Sequence, residues 1–141
     1  MGGIQIPSVK GPVGHSDGDA LAHALCDALL GATGLGDIGQ HFPDTAAEWH
    51  NASSLSFLRH VRSLLEQAGY RTLNVDATVS LERPKLAAHI PSIRNSISNA
   101  LGVAAGQVSV KAKTGEGLDA VGRGEAVRAE AIALVEKIDP D

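Results

Sequence analysis

From Leu73 to Leu81 the chain reads Leu-Asn-Val-Asp-Ala-Thr-Val-Ser-Leu, a strict alternation of apolar and polar residues. A period of two places Leu73, Val75, Ala77, Val79 and Leu81 on one face of a strand and the polar residues on the other. A strand of that kind belongs to a sheet whose apolar face must be covered, and three helical segments supply the cover. The first starts near Ser16 or Asp17, either of which suits an N-cap, and ends near Gly31 or Gly34. The second follows Ser53 or Ser54 and carries Leu55, Phe57, Leu58, Val61, Leu64 and Leu65 up to Gly69. The third has Pro91 in its first turn, Ile93, Ile97 and Leu101 inside, and Gly102 at its end.

Two more short strands are expected. Met1 to Pro7 alternates and stops at proline, and Val108, Val110 and Ala112 alternate with Ser109, Lys111 and Lys113. Residues 126 to 138 fit two patterns. Val127, Glu130, Ala131 and Leu134 follow a helical spacing, and Val127, Ala129, Ala131, Ala133 and Val135 follow a period of two. Propensity alone favours the helix. The pattern as a whole predicts one α/β (α+β) domain over residues 1–141.

Of the 141 residues 43% are hydrophobic, but only two Phe, one Tyr and one Trp are aromatic. The core must therefore be built from Ala, Val, Leu and Ile, each burying little area, and oligomer formation is one way to add more. A net charge of −4 argues against non-specific nucleic-acid binding. Cys26 is the single cysteine, so no intrachain disulfide forms and a reducing compartment is compatible. The sequence has no run of roughly 18 apolar residues and no secretory leader pattern, and it reads as a soluble, cytoplasmic protein.

Chemistry-bearing residues fall in four stretches. His15-Ser-Asp-Gly-Asp19 runs into the first helix, where Asp19, His23 and Asp27 are spaced four apart. That stripe suits a metal site, in which a carboxylate holds the second nitrogen of a ligating imidazole. It also suits a solvated face with a capping Asp, which is the simpler reading of this segment alone. Leu35 to Asp44 is a loop whose Asp37 and Asp44 either bind hydroxyls or cations or close Asx-turns. Glu82-Arg83-Pro84-Lys85 is a strand-end loop with two cations, placed to meet a phosphate or ribose or simply solvated. Lys113 to Glu125 holds four glycines with Lys, Thr, Glu and Arg, a composition for anion binding, but not in the order of a Walker A loop.

Together these stretches resemble one family, 2-C-methyl-D-erythritol 2,4-cyclodiphosphate synthase of the non-mevalonate isoprenoid pathway. The resemblance rests on His15-Ser-Asp-Gly-Asp19 with His23 and Asp27, Gly36-Asp-Ile-Gly39, Phe42-Pro-Asp44, Arg83-Pro-Lys85, Val110 to Gly117 and Gly122-Arg-Gly-Glu125. It covers the chain in order from Gly2 to about Lys137.

The resemblance implies a lyase that converts 4-diphosphocytidyl-2-C-methyl-D-erythritol 2-phosphate to 2-C-methyl-D-erythritol 2,4-cyclodiphosphate and CMP. It implies zinc on His23 and magnesium or manganese on Glu116. It implies that His15 and Thr114 stabilise the transition state and that Ser16 contacts phosphate. Asp37, Ile38, Gly39, Phe42, Pro43 and Asp44 are implied on the methylerythritol side, and Lys85, Leu86 and Ala87 on the cytidine side. Lys113 joins the substrate contacts, and Arg123 matches an anion-binding position at the centre of a homotrimer. Asp19 and Asp27 are implied to cap or support rather than ligate. The family places active sites between neighbouring subunits and makes the last segment a strand. That gives a mixed sheet of about four strands with helices on one face, assembled as a trimer.

Family members also carry a first strand ending in Asp-x-His, both residues of which bind zinc, whereas no Asp-x-His precedes His15 here. The expectation is a domain incomplete at its N-terminus. The alternative is a non-catalytic, trimer-forming or ligand-binding relative without a zinc site. His41 is the one substitute ligand the loop offers. Ala120 stands where many relatives have Phe, which would widen the trimer centre and leave less of it to hold an isoprenoid phosphate.

Overall fold

A computed structural model describes residues 1–3, 19–43 and 52–139. The organising strand runs Tyr70–Ser80 (β1) and lies in the middle of a three-stranded sheet. Val108–Lys113 (β2) pairs parallel to it, with Val75 opposite Val108 and Ala77 opposite Val110. Arg128–Lys137 (β3) pairs antiparallel on the other side, with Ala77 opposite Ala131 and Val79 opposite Ala129. The last segment is thus a strand, against its propensity. The helix-forming Ala and Glu residues yield because β1 offers a free edge, and Ala129, Ala131, Ala133 and Val135 line the core side of that pairing.

Among the described residues the sheet has three strands rather than about four. Met1–Gly3, the start of the expected opening strand, include a turn at Gly2 and Gly3, and residues 4–7 lie outside the described ones.

Helices cover one face. Ala20–Ala32 (α1) packs on β3 and β1, and Ser54–Gln67 (α3) packs across α1 and onto Ile90–Leu101 (α4), which covers β2. Leu21, Leu25, Leu29 and Leu30 of α1, Leu58, Val61 and Leu65 of α3, and Ile93 and Ile97 of α4 close over Val75, Val79 and Val108. Each such aliphatic side chain contributes about 2 kcal/mol by burial. Cys26 is part of this core, as expected of a packed thiol. Burial pushes its pKa up, and the nearby Asp27 and Asp19 charges push it further, so it stays a thiol.

The helix starts differ in part from expectation. The cap of α1 is Asp19, not Ser16 or Asp17, and its carboxylate accepts a hydrogen bond from Ala22 N–H at 3.0 Å. The same carboxylate accepts from Gly2 N–H at 3.0 Å and Gly3 N–H at 2.9 Å. Both glycines have positive φ, 57° and 79°, which turns their successive amides onto one anion. Burial alone would raise the Asp19 pKa, but hydrogen bonds from Ala22, Ser54, Gly2 and Gly3 outweigh it and hold the group below the usual value. Ser53 caps α3, and α4 ends at Gly102, whose φ of 70° lets Val103 N–H reach Ser98 C=O at 3.0 Å.

Among the described residues nothing covers the other face of the sheet. It presents Asp76, Thr78, Ser109 and Lys111, with a Lys111–Asp76 ion pair at 2.8 Å. Ile132 and Leu134 lie on it at 76% and 55% exposure, a large apolar area for a free surface.

Candidate functional site

The site residues gather in two groups. The first belongs to α1, α3 and a one-turn helix, Ile38–His41 (α2), inside what the sequence reads as a plain loop. Asp37 caps α2 by accepting from Gln40 N–H at 3.0 Å, which realises the Asx-type turn. Asp27 on α1 accepts from Ile38 N–H at 2.9 Å and ties the segment to the helix. His41 Nε2 lies 2.7 Å from Leu35 C=O, so it carries the proton and donates, closing the loop from inside. That bond engages one ring nitrogen and fixes the orientation of the ring. Asp37, Gly39 and Pro43 are exposed, Ile38 is half-buried and Phe42 is buried.

His23 is half-buried on α1, one turn beyond Asp19. Its ring meets Phe57 of α3 edge-on, with centroids 5.9 Å apart and planes at 68°. Phe57 also meets Phe42 at 4.7 Å and 73°, and Phe42 meets His60 at 5.3 Å and 69°. His15, Ser16 and Asp44 lie outside the described residues.

The second group sits where β1 and β2 end. Parallel strands finish on the same side of a sheet, so the loops that follow them are neighbours. Leu81 N–H donates to Lys113 C=O at 2.8 Å, and Glu82 accepts from Gly115 N–H at 2.9 Å. Lys85 and Ala87 on one loop and Lys113, Thr114 and Glu116 on the other are exposed. Leu86 is 3% exposed with its side chain in the core, so what it presents beside Lys85 is its backbone.

Thr114 Oγ1 accepts from Glu116 N–H at 3.3 Å, and Glu116 itself has φ 52°, an uncommon conformation for a residue with a side chain. The glycine-rich loop contains another one-turn helix, Asp119–Gly122 (α5). A Cβ on Gly122 would fall on the Gly117 backbone and one on Gly115 would fall on the Gly122 backbone, so the loop closes only because Gly115 and Gly122 are glycine. Arg123 follows, exposed and paired with Glu125 at 3.2 Å.

The described residues do not by themselves fit a metal ion. Among them no group of three or more His, Cys, Asp or Glu side chains comes together. A zinc site takes three or four protein ligands, and His23 and Glu116 each stand as one. Asp19 and Asp27 both accept from backbone amides, which gives the acids beside His23 a capping and tethering role.

Sequence reasoning missed Phe57 and His60, which read as plain helix residues, because nothing in a helical period says which neighbour an aromatic ring will meet. It also missed Glu82, whose partner lies 33 residues away.

The sequence profile of the YgbB family matches residues 1–136. The chain is 49% identical over 137 residues to the 2-C-methyl-D-erythritol 2,4-cyclodiphosphate synthase of Syntrophomonas wolfei, covering 97% of this chain and 87% of that one. Its structure is similar to the bifunctional IspDF of Campylobacter jejuni, with TM-score 0.92 and 36% identity over 98% of this chain and 37% of that longer one. It is similar as well to a 2C-methyl-D-erythritol-2,4-cyclodiphosphate synthase solved in a CDP-bound form, with TM-score 0.88 and 41% identity over 96% of this chain and 87% of that one. No helix among the described residues is long and apolar enough to cross a membrane.

Proposed function

Because the chain belongs to the YgbB family, whose relatives are 2-C-methyl-D-erythritol 2,4-cyclodiphosphate synthases, we infer the division of labour by which its residues run that reaction. An oxygen of the substrate's 2-phosphate bonds to the β-phosphorus of its own diphosphate. The bond from that phosphorus to the bridging oxygen breaks, and CMP leaves with the oxygen. Two anions must meet, so catalysis is mostly charge neutralisation and positioning.

The observation that carries the assignment is the pairing of the two strand-end loops through Leu81–Lys113 and Glu82–Gly115. It sets the loop that carries Lys85 beside the loop that carries Lys113 and Thr114, at the end of the sheet where β1 and β2 finish, a setting for a diphosphate. Lys85 and the backbone of Leu86 and Ala87 take the cytidine side, which fits a relative solved with CDP. Asp37, Ile38, Gly39, Phe42, Pro43 and Asp44 take the methylerythritol part, with Asp37 accepting from a hydroxyl. His15, Ser16 and Thr114 meet the transferring phosphoryl oxygens, and Arg123 holds an anion at a trimer axis. Divalent metal belongs to this reading, zinc at His23 and magnesium or manganese at Glu116. Either ion would need further ligands, since among the described residues no three His, Cys, Asp or Glu side chains come together.

A homotrimer is part of the same proposal. Ile132 and Leu134 on the open sheet face need covering, and the two groups of site residues lie on different parts of one chain. A site between subunits would join one subunit's helical group to its neighbour's strand-end loops.

The test is CMP release and cyclic product formation, read by chromatography and phosphorus NMR, with zinc and magnesium added and then chelated. Turnover that falls at least tenfold in Thr114→Ala and Lys113→Ala supports the reading. A folded, metal-supplemented protein that releases no CMP overturns it in favour of a non-catalytic relative.

A further inference from the structure

We propose that Phe57 is a positioning residue that locks two parts of the substrate site to each other: the His23 imidazole and the segment from Asp37 to Phe42. The proposal rests on the assignment of those residues to the site.

Phe57 is 4% exposed and lies on α3, a helix that supplies no residue assigned to the reaction. Its ring nonetheless makes two edge contacts, one to His23 on α1 and one to Phe42 at the end of α2. Edge-to-face rings have a preferred angle as well as a preferred distance, so each contact fixes an orientation. An aliphatic side chain of similar volume would fill the space without setting either ring plane. Phe42 also meets His60, three residues further along α3. The backbone of the same segment is tied to α1 by the Asp27–Ile38 hydrogen bond. The segment is therefore gripped by its backbone from α1 and by its terminal side chain from α3, and Phe57 is the point at which the second grip also reaches His23. Small displacements of reacting groups are costly in phosphoryl transfer, where alignment supplies much of the rate.

The experiment compares Phe57→Leu and Phe57→Tyr with the unaltered protein. Expected for Phe57→Leu is a melting temperature within a few degrees of the parent and kcat/KM lower by about tenfold. Phe57→Tyr, which keeps the ring edge, should return to within about threefold of the parent. In proton NMR, Phe57→Leu should shift His23 and Phe42 ring resonances together and leave Tyr70 in place.

Unchanged kcat/KM in a folded Phe57→Leu overturns the proposal, and so does an equal loss in both variants, which would mean that volume matters and the ring does not. If Phe57→Leu does not fold, titration of the unaltered protein with CDP decides. Joint shifts of His23, Phe57 and Phe42 support the coupling, and a Phe57 ring silent while both neighbours move overturns it. Absence of CMP release from the unaltered protein would remove the functional assignment, while the NMR coupling would still be read on its own.

Discussion

The carboxylate of Asp27 on α1 accepts the backbone N–H of Ile38 at 2.9 Å, eleven residues further along the chain. One hydrogen bond thus joins the helix that carries His23 to the segment that carries Asp37. Removing it frees the segment's backbone while leaving the core untouched. Asp27→Ala is expected to raise KM by about three- to tenfold, the range of one lost hydrogen bond, with little change in melting temperature. Steady-state kinetics beside a thermal melt check this. A KM equal to the parent's would show that the segment keeps its place without the tether.

Asp19 makes a prediction about pH. Its folded pKa lies below the ordinary carboxylate value because its hydrogen bonds outweigh its burial. Its contribution is therefore fully present above the unfolded value, about 3.9, and is lost as pH falls through the lower folded value. Asp19→Asn should cost about 1–3 kcal/mol at neutral pH, and the gap to the parent should narrow below about pH 4. Denaturant melts across pH 2–7 measure it, and a gap constant over that range would contradict the assignment.

The open sheet face bears on assembly. Placing charge at Ile132 and Leu134, as in Ile132→Glu with Leu134→Glu, should convert the proposed trimer to smaller species. Light scattering after size exclusion reads the mass. A trimer that survives both changes would have its interface elsewhere.

Gly122 tests the glycine-rich loop. In Gly122→Ala the new Cβ meets the Gly117 backbone, so the turn between Thr114 and Arg123 must open. Activity should drop by at least about tenfold with a melting temperature within several degrees, since the loop is exposed. Activity near the parent's would mean that the loop can relax without disturbing the residues that precede it.

The sequence alone determined β1, β2, α3 and α4, because each has an unbroken apolar period and terminal residues suited to its ends: Ser53 before α3, Pro91 and Gly102 at the ends of α4. It also carried the site motifs, since residue type and spacing are local facts. The state of β3 was not local. Ala and Glu prefer helix, and only the free edge of β1, whose register sets Ala77 opposite Ala131, made the period of two prevail. The meaning of the acids around His23 was not local either. Asp19 found Gly2 and Gly3, and Asp27 found Ile38, so both became holders of backbone amides. Phe57 is the extreme case: its two ring partners come from α1 and from the residue that follows α2, and a contact between elements exists only once they are packed. Periodicity records which face of an element is buried, and packing decides what that face touches.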